Sequence, residues 1–599
     1  MLRSFDNVES FNLKTTYDVV ICGGGLAGMT LARQLKLEIS DISILVIDRL
    51  AKPLPISAFK VGESTVEIGT NYLTEILDLK DYFNQHHLQK LGLRFFLGNS
   101  HKALNDRPEI GVASFKLFNS KFTYHMDRGL LENDLREFNL EAGIDLLEHG
   151  SVQSINLNDS KDCHSIICKQ LDTKEIHTFK ARWVVDAMGR RRFLQKKLGL
   201  EKSNFQDRSA VWFRINERVD VSDLVPLINS QWHNRVPNNI RYYSANHLVG
   251  EGYWVWLIPL PSGYTSIGIV TSDTVHNFKE YSTYEKACNW LQKYEPILAE
   301  QIKDRQPADF MKMPKYSYSS TQVFSFNRWT CVGEAGAFPD PLYSPGTDMI
   351  ALGNTLTTEL IKLDLSGKLN QKMVDHANRF YLKTNDNVTT SIGGSYQLLG
   401  KSPVLFLMQY IWKAMFSWAT VTPLIFNSVF LDPDRMEKFD GVLEEFSSLA
   451  HQVEQLFKEW SNKPTHRLSF EFIDYLGMLP FVNQFRSNLF FKKTDLQLID
   501  DYIANLKILE ELAQVIFLLA LEDTMPNKLT MFSEPVWLNA WAISLDVDTW
   551  EGNGLFKPKS QPRDLHRVMK PLKDNIQLIS NQSVSKSNQK IYAVNTVMA

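Results

Sequence analysis

Near its N-terminus the chain carries a strand, a glycine-rich turn, a helix, a second strand and an acid in an order that few folds accommodate. The segment YDVVICGGGLAGMTLARQL begins at Tyr17, and its glycines fit G-x-G-x-x-G before a helical repeat of apolar residues. Glycine is needed there because the backbone turns tightly and approaches a pyrophosphate, which the first N–H groups of the helix bind. The second strand, ISILVID, ends at Asp48, where a carboxylate accepts hydrogen bonds from a ribose. This order predicts a Rossmann-like α/β domain whose dinucleotide contacts are Gly23, Gly25, Leu26, Ala27, Gly28 and Asp48.

Three later segments favour FAD as the dinucleotide. Arg128 begins an amphipathic helix in HMDRGLLENDLREF, and Asp186 ends an apolar strand in ARWVVDAMGRRRFL. In RWTCVGEAGAFPDPLYSPGTDMIALGNTL, a short strand precedes Glu334, at the place where the ribityl chain of a flavin needs a hydrogen-bond acceptor. A helix follows from about Thr347, and its N-terminus would face the isoalloxazine ring.

The stretch GYWVWLIPL holds two tryptophans one residue apart, Trp254 and Trp256. The alternation of period two predicts a strand that points both indoles to one face. The strand ends at Pro259 or lies at a sheet edge, because proline cannot donate to a ladder. Taken alone, the pair is typical of two core aromatics.

Together these motifs resemble those of the flavin-dependent halogenases, nearer the phenol and pyrrole branch than the tryptophan branch. They stand in the family's order: GGGLAG, KVGEST, the DR pair at Arg128, the DAMG strand end, WVWLIP and DPLYSPG. The resemblance covers about residues 15 to 400 and fades in the last 200. It implies an FAD-binding domain of the glutathione-reductase and p-hydroxybenzoate-hydroxylase type with a layered substrate-binding sheet. It adds four residues to the predicted FAD contacts: Lys60, Glu63, Ser64 and Pro341.

The resemblance further implies chlorination or bromination of an electron-rich aromatic substrate in secondary metabolism. Reduced FAD (FADH2) reacts with oxygen to a flavin C4a-hydroperoxide, chloride or bromide attacks it, and hypohalous acid travels to a separate substrate pocket with a catalytic lysine. That lysine matches Lys90 in HLQKLGLRFF. Burial would lower its pKa and make a neutral amine accessible. The other interpretation of Lys90 is an ordinary surface lysine beside a strand.

By the same resemblance, the tryptophan strand would separate flavin and substrate. Two rigid indoles would keep the substrate away from the flavin hydroperoxide and prevent direct hydroxylation. The residues of this predicted barrier are Trp254, Trp256, Ile258 and Pro259.

The resemblance also implies that the loop YSPGT is the halide site. Its residues Ser344, Gly346 and Thr347 precede or begin a helix, and free N–H groups at such ends bind anions. The loop departs from the tryptophan-halogenating branch, which has threonine at Pro345 and glutamate at Tyr343. We therefore predict a phenolic or pyrrolic substrate, which needs less help from a base than free tryptophan.

The pattern along the chain predicts three regions. The first is an FAD-binding core over 15–395, with flavin-binding segments at about 15–95, 125–200 and 325–365 and a substrate-binding sheet at about 95–125 and 205–325. The second, over 396–579, is a helical C-terminal region, either a packed appendage or a lid that shapes the substrate pocket or meets a carrier protein. The third is a polar, disordered tail over 580–599.

Charge and cysteine usage exclude other classes of protein. A net charge of −3 offers no broad attraction to nucleic acid or to an anionic membrane. Five scattered cysteines without a C-x-x-C pair indicate a reducing compartment, the cytoplasm, and no metal site. The apolar stretch 403–431 is interrupted by Gln409, Lys413 and Pro423, so it falls short of the roughly 20 residues of a spanning helix. We favour a buried or lid-forming helix pair over the alternative, peripheral contact with a membrane.

Two other functions stay open from the sequence. One is a flavin-dependent aromatic monooxygenase without a halide step, and the other is a catalytically silent flavin-binding protein. The tryptophan strand and Lys90 count against the first, because a hydroxylase needs its substrate beside the flavin. No second G-x-G-x-x-G is present, so we expect a separate flavin reductase as a partner. The substrate would be an aromatic small molecule, free or tethered to a carrier protein.

Overall fold

The computed structural model describes residues 13–56, 60–98, 102–118, 121–158, 163–204, 207–532, 538–557 and 565–579, so the predicted tail over 580–599 lies outside the described residues. The described chain forms two eight-stranded sheets and several pairs of short strands. It has the predicted mixture of parallel sheet and helices.

The first sheet has five parallel strands at its centre, in the order Trp329–Cys331, Ile176–Asp186, Thr16–Cys22, Ile44–Ile47 and Asp145–Leu147. Antiparallel strands complete it at Phe324–Ser325, His164–Gln170 and Gly150–Asn156. The apolar runs VVIC and ILVI are buried throughout, as expected for parallel strands covered on both faces. The sheet packs with the helices Leu26–Glu38, Arg128–Glu141 and Gly346–Leu365.

Because these strands are parallel, their carboxyl ends meet at one edge of the sheet. The glycine turn follows one strand, Asp48 the next, and Asp186 ends a third. Ligands of open α/β sheets bind at this edge.

The second sheet contains the tryptophan strand at its centre. Its order is Pro307–Met313, Arg208–Ile215, Thr265–Ser272, Tyr253–Pro259, Ala245–Gly250, Leu93–Leu97, Glu109–Gly111 and Phe472–Asp474. One face, with Val255 and Leu257, packs with the helices Tyr284–Tyr294 and Pro296–Ile302. The other face, with Trp254 and Trp256, belongs to the core that the C-terminal helices share.

The C-terminal region is helical, as predicted, and it is built into the rest of the fold. Its strand Phe472–Asp474 adds to the second sheet in parallel with Glu109–Gly111. The helix Gln371–Tyr396 leads into this region, whose own helices are Pro403–Ala419, Val421–Phe426, Pro433–Glu437, Asp440–Ser461, Pro480–Asn488, Asp495–Thr524, Pro526–Leu529 and His566–Lys573. In the part of the chain that the structure describes, no helix combines the length and apolarity needed to cross a membrane.

The remaining elements are short. Leu88–Lys90 pairs with Thr123–His125, Glu201–Ser203 with Tyr318–Ser320, and Leu468–Ser469 with Gln577–Leu578. The short helices are Glu67–Asn71, which continues into a π-helical turn over Tyr72–Ile76, then Lys80–His86, Phe193–Lys197 and Ser230–Asn234. The segment from Glu67 to Lys90 packs against the core of the first sheet and ends at the lysine that the motifs single out.

Candidate active site

A cleft lies between the carboxyl edge of the first sheet and the tryptophan strand of the second. Residues from both halves of the predicted core meet there, although they are far apart in the sequence. The predicted site residues that line the cleft are Glu63, Ser64, Arg128, Trp254, Trp256, Ile258, Glu334, Pro341, Ser344, Gly346 and Thr347.

The glycine turn at the edge of the first sheet has the geometry that a pyrophosphate needs. A side chain on Gly28 would place its Cβ 1.9 Å from the carbonyl oxygen of Gly23, and Gly23 itself has a φ of +119°. The helix that follows begins with Leu26 and Ala27, and no side chain caps it, so its first N–H groups are available to an anion. Asp48 lies over this turn, with Oδ2 2.6 Å from the position of a Cβ on Gly24.

The buried carboxylate of Glu132 pairs with two cationic side chains, Arg128 and Lys60. The guanidinium of Arg128 donates to Glu132 at 2.6 and 3.2 Å and to the carbonyl of Val61 at 2.7 Å, and Lys60 donates to the same carboxylate. Burial alone would raise the pKa of Glu132, but Arg128 and Lys60 lower it. The motifs miss Glu132, the partner of both predicted cations, and its only signal in the sequence is the i,i+4 spacing from Arg128.

Two of the predicted carboxylates bind groups of the protein itself: Asp186 binds the backbone, and Glu63 binds an arginine of the second sheet. Asp186 is fully buried and accepts from the N–H groups of Met188 at 3.0 Å and Leu194 at 2.8 Å, and burial raises its pKa to about 6. Glu63 accepts from Arg214 at 2.7 Å, a contact without a sequence signal. Asp186 therefore shapes the turn at the sheet edge, and Glu63 holds the KVGEST segment against the second sheet.

The two indoles lie side by side on the cleft wall, with ring centroids 5.7 Å apart. Trp254 donates to the hydroxyl of Tyr396 at 2.8 Å, and Trp256 donates to Ser266 Oγ at 3.1 Å. Trp256 covers Gly268 so closely that a Cβ there would lie 2.1 Å from the indole. Pro259 ends the strand and does not line the cleft, whereas Ile258 does.

Asp340 holds the indole of Trp254 in place through Tyr396. Its carboxylate accepts from Arg208 at 2.9 Å and from the hydroxyls of Tyr316 at 2.7 Å and Tyr396 at 3.2 Å. Tyr396 in turn accepts from Trp254. The sequence alone does not suggest this network, because Arg208 and Tyr396 lie far from Asp340 along the chain.

The loop before the helix Gly346–Leu365 is strained. Tyr343 and Ser344 have φ values of +69° and +61°, a left-handed conformation that non-glycine residues adopt at an energetic cost and mostly at functional sites. No side chain caps the helix, and its first backbone hydrogen bond runs from Met349 N to the carbonyl of Pro345. Gly346 and Thr347 precede that bond and line the cleft, and free N–H groups at such a helix end can bind an anion.

Lys90 is fully buried and does not line the cleft. It ends the strand Leu88–Lys90, and its Nζ donates to the carbonyl of Thr65 at 2.7 Å, behind the part of the KVGEST segment that forms the cleft wall. Burial lowers its pKa to about 7, opposed by the nearby carboxylates of Glu67 and Asp348. The interpretation of Lys90 as a surface lysine is wrong, and both protonation states are accessible near neutral pH.

Beyond the cleft wall, a group of aromatic rings extends from the tryptophans towards the strand of Lys90. His247 lies 5.4 Å from Trp254 and stacks on Phe95 at 4.9 Å, and Phe95 lies 5.1 Å from Tyr410. We name the four rings beyond His247 the aromatic group, and they are Phe95, Tyr343, Tyr410 and Tyr475. Tyr475 covers Gly92, two residues after Lys90, since a Cβ on Gly92 would lie 2.2 Å from its hydroxyl.

Comparison with known proteins identifies the first part of the chain. Residues 16–261 match the family model described as "FAD binding domain". The chain is 29% identical over 389 residues to the flavin-dependent halogenase chlA of Dictyostelium discoideum, in an alignment that covers 60% of this chain and 62% of that protein. It is 26% identical over 355 residues to the 1H-pyrrole-2-carbonyl-[peptidyl-carrier protein] chlorinase of Pseudomonas fluorescens, covering 56% of this chain and 73% of the relative.

A solved structure has the same fold. The halogenase PltM in complex with phloroglucinol and FAD aligns with a TM-score of 0.59 at 19% identity, covering 83% of this chain and 96% of that one. These matches confirm the predicted fold class, the FAD cofactor and the resemblance to flavin-dependent halogenases. The roles of the individual site residues stay predictions.

Proposed function

We propose that this chain, a relative of the flavin-dependent halogenases, is an FADH2- and O2-dependent enzyme that chlorinates or brominates an electron-rich aromatic acceptor. The observation that carries the proposal is the position of Lys90, which is buried behind the wall of the FAD cleft. A hydroxylase transfers oxygen to a substrate that lies beside the flavin, so a reactive amine outside the cleft would serve no purpose. A halogenase needs such a group, because its oxidant is mobile.

The edge of the first sheet fits FAD. The turn at Gly23, Gly25 and Gly28 leaves N–H groups for the pyrophosphate, and Asp48 lies where the ribose would be bound. Glu334 opens onto the cleft, where it would accept from the ribityl chain. Bound in its reduced form, FAD supplies hypohalous acid from oxygen and a halide ion.

The strained loop would hold the halide. Chloride or bromide would bind the N–H groups of Gly346 and Thr347 at the positive end of a 20-residue helix, beside the hydroxyl of Ser344. Pro345 has no N–H and takes no part.

Lys90 would receive the oxidant. Its ammonium form would donate a hydrogen bond to hypohalous acid, and its neutral form would accept the halogen as a haloamine. With a pKa of about 7, Lys90 offers both forms at physiological pH. The acceptor would lie on the side of Lys90 away from the cleft, against the aromatic group. Aromatic walls of this kind suit a flat phenolic or pyrrolic ring.

The same geometry weighs against the two other functions. A monooxygenase without a halide step would need open access from the flavin to its substrate, and the two indoles on the cleft wall would stand in that path. A silent flavin-binding protein would have no reason to bury a lysine or to strain the loop at Tyr343 and Ser344.

The sequence and the five cysteines support proposals about the partners of this protein and its cellular compartment. We propose a separate flavin reductase as the source of FADH2, since the chain has one G-x-G-x-x-G motif. The five cysteines are free thiols, which suits the reducing cytoplasm. The acceptor is free or carried on a carrier protein, as the name of the Pseudomonas relative states for that enzyme.

To distinguish these acceptors, one aromatic acyl group is offered both as the free acid and as the thioester of a carrier protein. Halogenation of the thioester alone would identify a carrier-dependent enzyme. Halogenation of the free compound at an equal rate would contradict carrier dependence.

The two indoles offer a direct test of the barrier. In a Trp254→Ala/Trp256→Ala variant we expect hydroxylated acceptor or released peroxide at the expense of halogenated product, because the wall between flavin and acceptor is opened. Product ratios are measured by mass spectrometry on protein that retains FAD, since removing a buried tryptophan costs about 3–5 kcal/mol of stability. The Trp254→Phe/Trp256→Phe variant, which keeps two rings in place, serves as the control. Unchanged product ratios in the folded alanine variant would refute a barrier role.

A further inference from the structure

The helix Pro403–Ala419 packs into the core and is almost wholly apolar, yet it carries Lys413. The ammonium donates to the carbonyl of Ser391 and, at 2.7 Å, to Ser395 Oγ. Lys413 is partly exposed, and both of its hydrogen bonds go to the neighbouring helix Gln371–Tyr396. A chemical role for the amine would explain why a lysine stands there.

Ser395 links Lys413 to the strained loop. Its hydroxyl lies 3.5 Å from that of Tyr343, and either can donate to the other. Tyr343 belongs to the aromatic group, with its ring 6.1 Å from Phe95 and 6.0 Å from Tyr410, and its neighbour Ser344 lines the cleft. A continuous row of three polar groups therefore runs from the acceptor side to Lys413.

A second polar side chain lies on the same face of this helix. Gln409, one turn before Lys413, is 1% exposed, and neither atom of its amide has a hydrogen-bond partner among the described residues. Buried amides are normally satisfied by a ligand or by ordered water. This face thus offers a place for the small polar molecules that carry protons.

The charges around the row favour proton transfer through it. Burial lowers the pKa of Lys413 to about 8, with Glu454 from the helix Asp440–Ser461 raising it and Arg208 from the second sheet lowering it. Burial raises the pKa of Tyr343, and Glu454 and Asp340 add to that effect. Tyr343 therefore keeps its own proton at neutral pH, while Lys413 becomes able to take one up as the pH rises through about 8.

We propose that Tyr343, Ser395 and Lys413 form a relay that removes the ring proton from the halogenated acceptor. The inference rests on the proposed function. Once the carbon–halogen bond has formed, the ring C–H bond breaks and its electron pair returns to the ring. The proton goes to Tyr343 Oη, the proton of Tyr343 goes to Ser395 Oγ, and that of Ser395 goes to the neutral amine of Lys413, which becomes an ammonium. In this scheme Tyr343 touches the acceptor, and Ser395 and Lys413 act through it.

Glu454 marks the exit for the proton. A Cβ on Gly394, the residue before Ser395, would lie 3.5 Å from Glu454 Oε2, so this carboxylate sits beside the end of the relay. Glu454 is only partly buried, which lets it pass a proton from Lys413 to water.

Three variants test the relay: Lys413→Met, Lys413→Arg and Ser395→Ala. We expect kcat for halogenation to fall about 100-fold in each variant, which is the typical effect of losing a general acid–base group. KM should change little. Arginine keeps a positive charge but cannot accept a proton, so it should not rescue the rate. The matched control is Lys401→Met, which removes an exposed lysine close by and should leave kcat unchanged.

A ring-deuterated acceptor distinguishes proton removal from a structural role. In the three variants, loss of the ring proton becomes the slow step, so kcat should be lower with the deuterated than with the protiated acceptor. In the wild type the two rates should agree above pH 8, where Lys413 is neutral. Below that pH the protonated Lys413 cannot accept the proton, so kcat should fall and an isotope effect should appear. Lys413→Met should lack that dependence on pH.

Equal rates with both acceptors in the slowed variants, or full rescue by Lys413→Arg, would overturn the relay. Ser395→Ala provides the test if Lys413→Met does not fold. Absence of halogenated product from the wild type would refute the proposed function and the relay together, and the wild-type measurement separates that outcome from the others.

Discussion

Lys90→Met is expected to abolish halogenation while FADH2 is still oxidised. The substitution keeps the volume of a fully buried side chain and removes the group that would receive the oxidant. We expect the rate of product formation to fall about 100-fold or more, the scale of a lost acid–base group. Hypohalous acid should then escape into solution, where a chemical trap such as monochlorodimedone measures it. Persistent product at the wild-type rate in Lys90→Met would remove Lys90 from the reaction.

The stability of this variant provides the control for its folding. The folded-state pKa of Lys90, about 7, lies below its ordinary value of 10.5, so unfolding takes up a proton between these values and wild-type stability rises with pH there. Lys90→Met has no amine that must lose its proton on folding, so it does not bear this free-energy cost. It should be more stable than the wild type at pH 7, and the difference should shrink as the pH rises towards 10.5. Urea unfolding at a series of pH values measures this difference.

Gly28→Ala is expected to remove FAD from the protein. The added Cβ would lie 1.9 Å from the carbonyl oxygen of Gly23, so the turn that binds the pyrophosphate must shift. Overpacking of this kind costs about 1–3 kcal/mol, so we expect the affinity for FAD to fall about 10- to 100-fold. Flavin fluorescence on titration with FAD measures the affinity.

Gly441→Ala is the matched control for this substitution. Gly441 lies in the helix Asp440–Ser461, and a Cβ there would meet no atom within 4 Å. Alanine at an open helical position should leave FAD binding unchanged and slightly favour the helix. Equal FAD affinities for Gly28→Ala and the wild type would mean that FAD does not bind at this turn.

The sequence predicts well those elements whose pattern is local. The strand, glycine turn and helix around Gly28, the strand Tyr253–Pro259 and the helix Gly346–Leu365 each carry their periodicity and boundary residues within about 20 positions. The same holds for Asp48, whose place above the turn follows from the order of the strands. For these elements, the structure predicted from the local sequence pattern is the structure observed.

What the sequence does not show depends on contacts between distant residues. The strand Phe472–Asp474 is too short to have a pattern, and it exists because the edge of the second sheet is free to pair with it. The partners Arg208 and Tyr396 of Asp340, and Arg214 of Glu63, come from other elements that only the folded chain brings together. The burial of Lys90 also arises this way, since its short strand is covered by residues from the rest of the core.

Mass spectrometry of the product tests the central claim most directly. The purified protein is supplied with FAD, a flavin reductase, NADH, oxygen and either bromide or chloride, together with phenolic, pyrrolic and indolic acceptors in free and carrier-bound form. We predict a product with the isotope pattern of bromine or chlorine that is present with the wild type and absent with Lys90→Met. A product that has gained one oxygen and no halogen would contradict the claim and identify an aromatic monooxygenase.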